Sequence, residues 1–264
     1  MKIGFIGCGN MATAILKGIL KSGEVAAADI IASAKSDKTR EKIEKELGIQ
    51  KADTNAQVVD FADVVFLAVK PQFLEGVLDE IKDSVKADQI FISIAPGKTL
   101  QWFADKLGEK TKVIRTMPNT PAMVGEGMTA LCVNDLVTEE DTALAVKLCN
   151  TFGKTEVIPE RLMDVVVGVS GSSPAYVFMF LEAMADAAVA QGLPRKQAYT
   201  FAAQAVLGSA KLMLETGKHP GELKDMVTSP AGTTIEGVRV LEEKGFRGAV
   251  IDAVKASVEK SENM

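Results

Sequence analysis

Residues 227–241 read V-T-S-P-A-G-T-T-I-E-G-V-R-V-L, a hydroxyl-rich turn that runs into an amphipathic segment. Pro230 fixes one backbone angle and Gly232 admits conformations closed to side chains, so residues 229–232 read as a turn. Thr233 and Glu236 have the spacing of a capping box with Thr233 as N-cap, and Ile235, Val238 and Leu241 follow at helical spacing. A small-residue loop entering a helix leaves backbone N–H groups without intrahelical partners, here beside the hydroxyls of Ser229, Thr233 and Thr234. That combination suits a small carboxylate. An ordinary capped helix has the same pattern, so the chemical reading depends on a second anion-binding element elsewhere in the chain.

Such an element stands at the N-terminus. Residues 2–6 form a short β-type run, followed by Gly7-Cys8-Gly9-Asn10-Met11-Ala12 and an amphipathic segment to about Lys21. This is strand, G-x-G-x-x-A, helix, the context in which the fingerprint signals a dinucleotide. Gly7 makes the tight turn, Gly9 lets the backbone approach a pyrophosphate, and Ala12 permits close helix–strand packing. The next strand, about residues 29–33, ends in Ala32-Ser33-Ala34-Lys35-Ser36. A carboxylate that would hold the ribose 2′-hydroxyl of NAD(H) is missing there, and Ser33, Lys35 and Ser36 suit a 2′-phosphate. NADP(H) is expected over NAD(H).

Strands and helices go on alternating behind these residues. Residues 63–69 are a near-continuous apolar run, as in a parallel strand covered on both faces, and residues 90–94 and 112–116 are further strands. Open α/β sheets bind ligands beyond the carboxyl ends of their strands. Asn55, Ala68, Val69, Lys70, Pro71, Ile94, Ala95 and Pro96 are therefore expected to ring the cofactor. Met117 and Asn119, at the tip of the strand over 112–116, are expected at the substrate with Ser229, Ala231, Gly232, Thr233 and Thr234. A helix over about 138–150 and a last strand over 155–158 complete a dinucleotide-binding domain, residues 1–159. Residues 160–264 read as all-helical. Ser172-Ser173-Pro174 is taken as the cap of a helix to about Gln191, with further helices over 195–216, 219–227 and 247–260. The fold class expected is α/β, a Rossmann-like domain followed by an all-α dimerisation domain.

Composition narrows the partners. With 264 residues, a net charge of −5 and no basic run, nucleic acid and anionic membrane are not expected partners. Cys8, Cys132 and Cys149 are scattered in apolar runs without metal spacing, and the single histidine, His219, excludes a multi-histidine centre, so no metal is expected. A strand beginning directly after Met1 leaves no room for a signal peptide, and no apolar run is read as reaching membrane-spanning length. A soluble, cytoplasmic protein is expected. The helix over 174–191 is apolar on nearly every side and is expected to be buried all round, which points to self-association. It contains no lysine, which excludes the acid/base that β-hydroxyacid dehydrogenases carry on the corresponding helix.

The residues carry a family resemblance from end to end. F-I-G-C-G-N-M-A at 5–12, L-A-V-K-P-Q at 67–72, R-T-M-P-N-T-P at 115–121, V-S-G-S-S-P-A-Y at 169–176 and the stretch 227–241 resemble the pyrroline-5-carboxylate reductases. The last stretch, read with Pro220, Leu223 and Glu242, has that family's own spacing. Ser173 and Ala231 depart from it where glycine is usual, and Pro96 where a small residue is common. The resemblance implies hydride transfer from NADPH to a five-membered cyclic imino acid, giving L-proline. It also implies a substrate site completed across a homodimer, often within a decamer. Thr234 is the residue expected nearest the reacting nitrogen. Two other readings are a deazaflavin-dependent NADP reductase, whose substrate is a second cofactor, and a non-catalytic NADPH-binding regulator.

Overall fold

The structure, a computed structural model, describes residues 1–263 apart from the side chain of Lys42. Among the described residues, eight strands share one sheet. They are β1 (Ile3–Ile6), β2 (Ile30–Ser33), β3 (Gln50–Ala52), β4 (Val64–Leu67), β5 (Ile90–Ser93), β6 (Lys112–Met117), β7 (Gly127–Val133) and β8 (Gly153–Val157), in the order β3-β2-β1-β4-β5-β6-β7-β8. The sheet is parallel except where β7 runs antiparallel to β6. Parallel neighbours need crossovers. Helices α1 (Asn10–Ser22), α2 (Asp37–Leu47), α3 (Asn55–Phe61), α4 (Pro71–Ile81), α5 (Leu100–Leu107) and α6 (Glu139–Cys149) supply most of them.

Alternation along the strands divides the core in two. Ile3, Phe5, Val64 and Phe66 join Ile15, Leu16 and Ile19 of α1 in one cluster. Ile6, Val65 and Leu67 join Val58 of α3 and Leu74 and Leu78 of α4 in the other. Both faces are covered, which is why these strands read as unbroken apolar runs. The Phe5 and Phe66 rings stack at 4.6 Å across β1 and β4. A Cβ at Gly4 would stand 2.5 Å from Val58, so α3 lies directly on β1.

Three features of the fold lie outside the expectations. Strand β7 has no counterpart in the sequence reading, which passed from the 117–121 turn straight to α6. Its segment, G-M-T-A-L-C-V, follows a 3-10 turn at Thr120–Val124 and pairs Ala130 with Met117. Second, the compact units divide at 171/172: residues 1–171 form the first unit with the segment from Ser257 onward, and Ser172–Ala256 form the second. Side chains account for this. Glu160 accepts from the Leu100 amide at 2.7 Å and pairs with Arg115, Met163 packs with Ala130 and Cys132, and Ser261 donates to Asp164 at 2.5 Å. Third, Ser172 caps nothing, because its own backbone is already helical and no side-chain bond is made. Helical turns run from Glu160 through α7 (Met163–Val166) and a π-turn at Val167–Gly171 into α8 (Ser173–Ala190).

That continuity corrects a further expectation. The 31-residue helix Glu160–Ala190, with an 18-residue stretch of mean hydropathy 1.4, is long and apolar enough to cross a membrane by length and composition. The helical backbone of Ser172 joins its two halves.

The second unit contains α8, α9 (Arg195–Thr216), α10 (Pro220–Val227), α11 (Thr233–Glu243) and the first part of α12 (Phe246–Glu262). Small residues, Ala185 on α8 and Ala198 and Ala202 on α9, are the buried ones. The large apolar side chains are not buried within the single chain: Phe178 is 65% exposed, Met179 69%, Phe201 68% and Leu214 68%. His219 has an ordinary structural role, its Nδ1 accepting from the Gly221 amide at 3.1 Å to cap α10.

Candidate functional site

Chain order reverses between β1 and β4, so the crevice of this sheet opens at their carboxyl ends. A cavity of about 680 Å³ lies there. Gly7, Cys8 and Gly9 after β1, Ser33, Lys35 and Ser36 after β2, Asn55 at the start of α3, and Ala68, Val69 and Lys70 after β4 all line it. The volume falls in the range of small-molecule and cofactor pockets. Ten residues expected at a dinucleotide thus meet in one place.

The two glycines of the turn do different work. Gly7 has φ +92°, and a Cβ there would lie 2.8 Å from the Ala68 carbonyl oxygen, so the fold itself requires glycine. Gly9 has an ordinary φ of −76° as N-cap of α1, and a Cβ on it would meet no protein atom within 4 Å. Nothing in the folded chain requires glycine at that position. α1 has no side-chain cap and no acid in its first turn, so its N-terminal N–H groups stand open to an anion.

The remaining expected cofactor residues divide. Asn10 lines an adjoining cavity of about 420 Å³ with Cys8, Gly9 and Thr39. Met11 and Ala12 turn into the core, Ala12 at 1% exposure against the sheet. Pro71 opens α4, and Ile94 packs against the core. Ala95 and Pro96 line a much smaller cavity of about 10 Å³ with Arg115 and Met117.

Sequence reasoning passed over several cavity residues. Thr39 and Arg40 of α2 line it beside Ser36, with Arg40 Nε donating to the Ala34 carbonyl at 2.7 Å. Ser36 caps α2, accepting from the Thr39 amide at 3.3 Å, which brings the first turn of that helix round to the cavity. A cap with arginine four residues on was the available signal. On the opposite wall Phe73, Gly76, Val77 and Glu80 line the cavity from one face of α4 at helical spacing, and Lys35 lies 5.5 Å from the Phe73 ring centroid.

Two residues of the 115–121 motif are engaged within the first unit. Arg115 is 7% exposed and pairs with Glu160. Asn119 donates to the Ser170 carbonyl at 3.0 Å and accepts from the Met128 amide at 2.8 Å, bracing the start of β7. Burial pushes the Cys132 thiol up to about 11 and Cys149 up to about 12. Both are therefore protonated and shielded at neutral pH, and iodoacetamide is expected to leave them unlabelled in the folded chain and to alkylate them after denaturation. Labelling of either under native conditions contradicts that assignment.

In the second unit the 229–234 turn is present with one correction. Gly232, not Thr233, is the N-cap of α11, and no side chain caps that helix. Thr233 and Thr234 are its first two residues, and Glu236 pairs instead with Arg239 at 2.9 Å. Pro230-Ala231 turns the chain so tightly that the Gly232 amide bonds the Ser229 carbonyl at 3.1 Å, which sets the helix start one residue early. A Cβ on Gly232 would stand 2.4 Å from the Ser229 hydroxyl. Ala231 has φ +56°, a left-handed conformation that costs a non-glycine residue about 1–2 kcal/mol. This is one of the positions where the resembling family usually has glycine. With no side-chain cap, the N–H groups of Thr233 and Thr234 remain available beside three hydroxyls.

A doubly wound sheet with a glycine turn at its switch point, followed by a helical unit, defines a Rossmann-type nicotinamide-dependent oxidoreductase. The family within that class follows from likeness to known proteins. Residues 160–264 match the family described as pyrroline-5-carboxylate reductase dimerisation, and residues 2–97 match NADP oxidoreductase coenzyme F420-dependent. Over 263 residues the chain is 56% identical to a pyrroline-5-carboxylate reductase of Escherichia coli, covering 100% of this chain and 98% of that one. It is 46% identical to the enzyme of that name from Methanosarcina acetivorans, covering 100% and 97%. Among solved structures, a pyrroline-5-carboxylate reductase from Coxiella burnetii superposes with a TM-score of 0.94 at 34% identity over 99% of this chain and 97% of that one. The Plasmodium falciparum pyrroline carboxylate reductase, solved with NADP bound, gives 0.89 at 30% identity over 100% and 97%. The chain belongs to the pyrroline-5-carboxylate reductase family.

Proposed function

We propose that the chain reduces 1-pyrroline-5-carboxylate to L-proline, the last step of proline biosynthesis, with NADPH preferred over NADH. The observation that carries the reading is full-length identity of 56% to a reductase of that name, with Gly7, Gly9 and Thr234 in place. When bound, the reduced nicotinamide supplies a hydride. The chain's own groups hold and orient. The open N–H groups of α1 take the pyrophosphate, and Ser33, Lys35, Ser36 and Arg40 surround the ribose 2′ position. Preference for NADPH rests on the donors of Lys35, Ser36 and Arg40 and on the missing carboxylate at the tip of β2.

The substrate carboxylate is assigned to the start of α11, on the backbone of residues 232–234 with the hydroxyls of Ser229, Thr233 and Thr234. Ala231 shapes that turn. Met117 and Asn119 are assigned to the substrate from the end of β6; the braced amide of Asn119 suits a supporting role. A cyclic imine takes up its proton before reduction, so the site needs an orienting hydroxyl rather than a strong acid, and Thr234 provides one.

The exposed apolar residues of α8 and α9 are assigned to a second copy of the chain in a homodimer, with a decamer as the larger assembly. A cytoplasmic location follows if helix Glu160–Ala190 serves subunit pairing and not a membrane. Phe178→Arg, which places an unpaired charge on that surface, is expected to cost several kcal/mol of association and to yield dissociated or insoluble protein in light scattering. A soluble, fully active monomer of the parent chain would refute the paired arrangement.

The match of residues 2–97 to an F420-dependent oxidoreductase family favours a second reading, reduction of a deazaflavin. NADPH oxidation measured with pyrroline-5-carboxylate, with F420 and with neither distinguishes them. Turnover with the imino acid alone is the expected result. Turnover with F420 alone replaces the proposal, and none with either leaves the regulatory reading.

A further inference from the structure

Between β2 and α4 a polar chain crosses the floor of the large cavity. Ser33 Oγ donates to Asn55 Oδ1 at 2.6 Å, and Asn55 Nδ2 donates to Glu80 Oε2 at 2.7 Å. All three residues line the cavity. The direction of the chain is fixed by chemistry. A carboxylate only accepts, so Glu80 must face the amide nitrogen of Asn55; the amide oxygen then faces Ser33, and the serine proton goes to it. Ser33 is left offering lone pairs to anything beside it. Lone pairs suit a ribose 2′-hydroxyl, which donates, and are wrong for a 2′-phosphate, which needs donors.

We propose that Glu80 is a positioning residue for cofactor choice: acting through Asn55, it holds Ser33 as an acceptor for the ribose 2′-hydroxyl and so retains NADH as a usable partner. The proposal rests on the reading of this cavity as a dinucleotide site. Lys35, Ser36 and Arg40 favour the phosphorylated ribose from one wall, and Glu80 on the other opposes them. The chain carries its carboxylate on a neighbouring helix and relays it through an amide to Ser33, where other dinucleotide folds place a carboxylate at the strand tip itself. Loss of Glu80 frees the Asn55 amide to turn, and Ser33 then has no fixed donor direction. Glutamine at position 80 still accepts from Asn55 and keeps the chain intact.

Fluorescence titration of the full-length protein with NADH and with NADPH, in the absence of substrate, tests this without relying on turnover. Glu80→Ala is expected to raise the Kd for NADH about threefold to fivefold while that for NADPH stays level or falls, the size expected of one exposed polar interaction. Glu80→Gln is expected to keep the parent ratio. Equal weakening of both cofactors in Glu80→Ala, no change in either, or a Glu80→Gln variant that behaves like Glu80→Ala overturns the proposal. A parent chain that binds neither cofactor removes the dinucleotide reading itself, and that result is visible before any variant is made. Melting curves separate loss of fold from loss of binding, and Glu80 is exposed, so both variants are expected to melt with the parent.

Discussion

Replacing Gly9 by valine is expected to raise the Kd for NADPH about tenfold to a hundredfold while the melting temperature stays close to that of the parent. The reason is the contrast within one turn. Gly9 has φ −76° and nothing within 4 Å of a built Cβ, so the folded chain has room for a side chain there. That room is the approach to the open N-terminus of α1, and filling it sets protein atoms against the ligand at the size of an overpacked contact. Gly7→Ala is the control. Its φ of +92° and the Ala68 carbonyl 2.8 Å away predict lost stability, about 1–3 kcal/mol, whether or not cofactor is present. Titration beside melting curves decides it. Tight NADPH binding by the valine variant would move the pyrophosphate away from this turn.

Thr234→Ala is expected to lower kcat about tenfold and to raise KM for the imino acid. An anchoring hydroxyl accounts for about 0.5–1.5 kcal/mol, nearer 3 if it bonds the charged carboxylate, whereas a true proton donor would take kcat down by roughly 10²–10⁴. An imine protonated before reduction needs little help from a threonine, a poor acid. The structure changes what is expected of the neighbouring residue. Because Gly232 caps α11, Thr233→Ala removes no cap and is expected to leave the melting temperature near the parent's, where a true N-cap would have lost about 1 kcal/mol. Steady-state kinetics of both variants settles the assignment. Unchanged kinetics in Thr234→Ala with lost turnover in a stable Thr233→Ala would exchange the two roles.

What the sequence made legible was whatever local chemistry decides alone. The glycine turn, the buried parallel strands and the hydroxyl-rich start of α11 all follow from backbone freedom and burial on two faces. The cavity at the switch point gathered ten of the expected residues because strand ends in this topology converge. What stayed hidden depended on partners distant in the chain. β7 runs antiparallel in a parallel sheet, so no rule of alternation announced it. Thr233 has the spacing of a capping box, but the 229–232 turn fixes the helix start at Gly232 instead. Ser172-Ser173-Pro174 looks like a helix start, yet the turns before it are helical already. Arg40 and Glu80 look like surface charges until α2 and α4 are seen to present them to one cavity.

In the proposed reaction the hydride goes to the imine carbon of pyrroline-5-carboxylate. Incubating the protein with that substrate and NADPH carrying deuterium at both nicotinamide C4 positions, and locating the label by mass spectrometry and NMR, tests this transfer. The expected product is L-proline with one deuterium on the ring carbon that had been doubly bonded to nitrogen. Cofactor left unoxidised, or label transferred to any other acceptor, would contradict it.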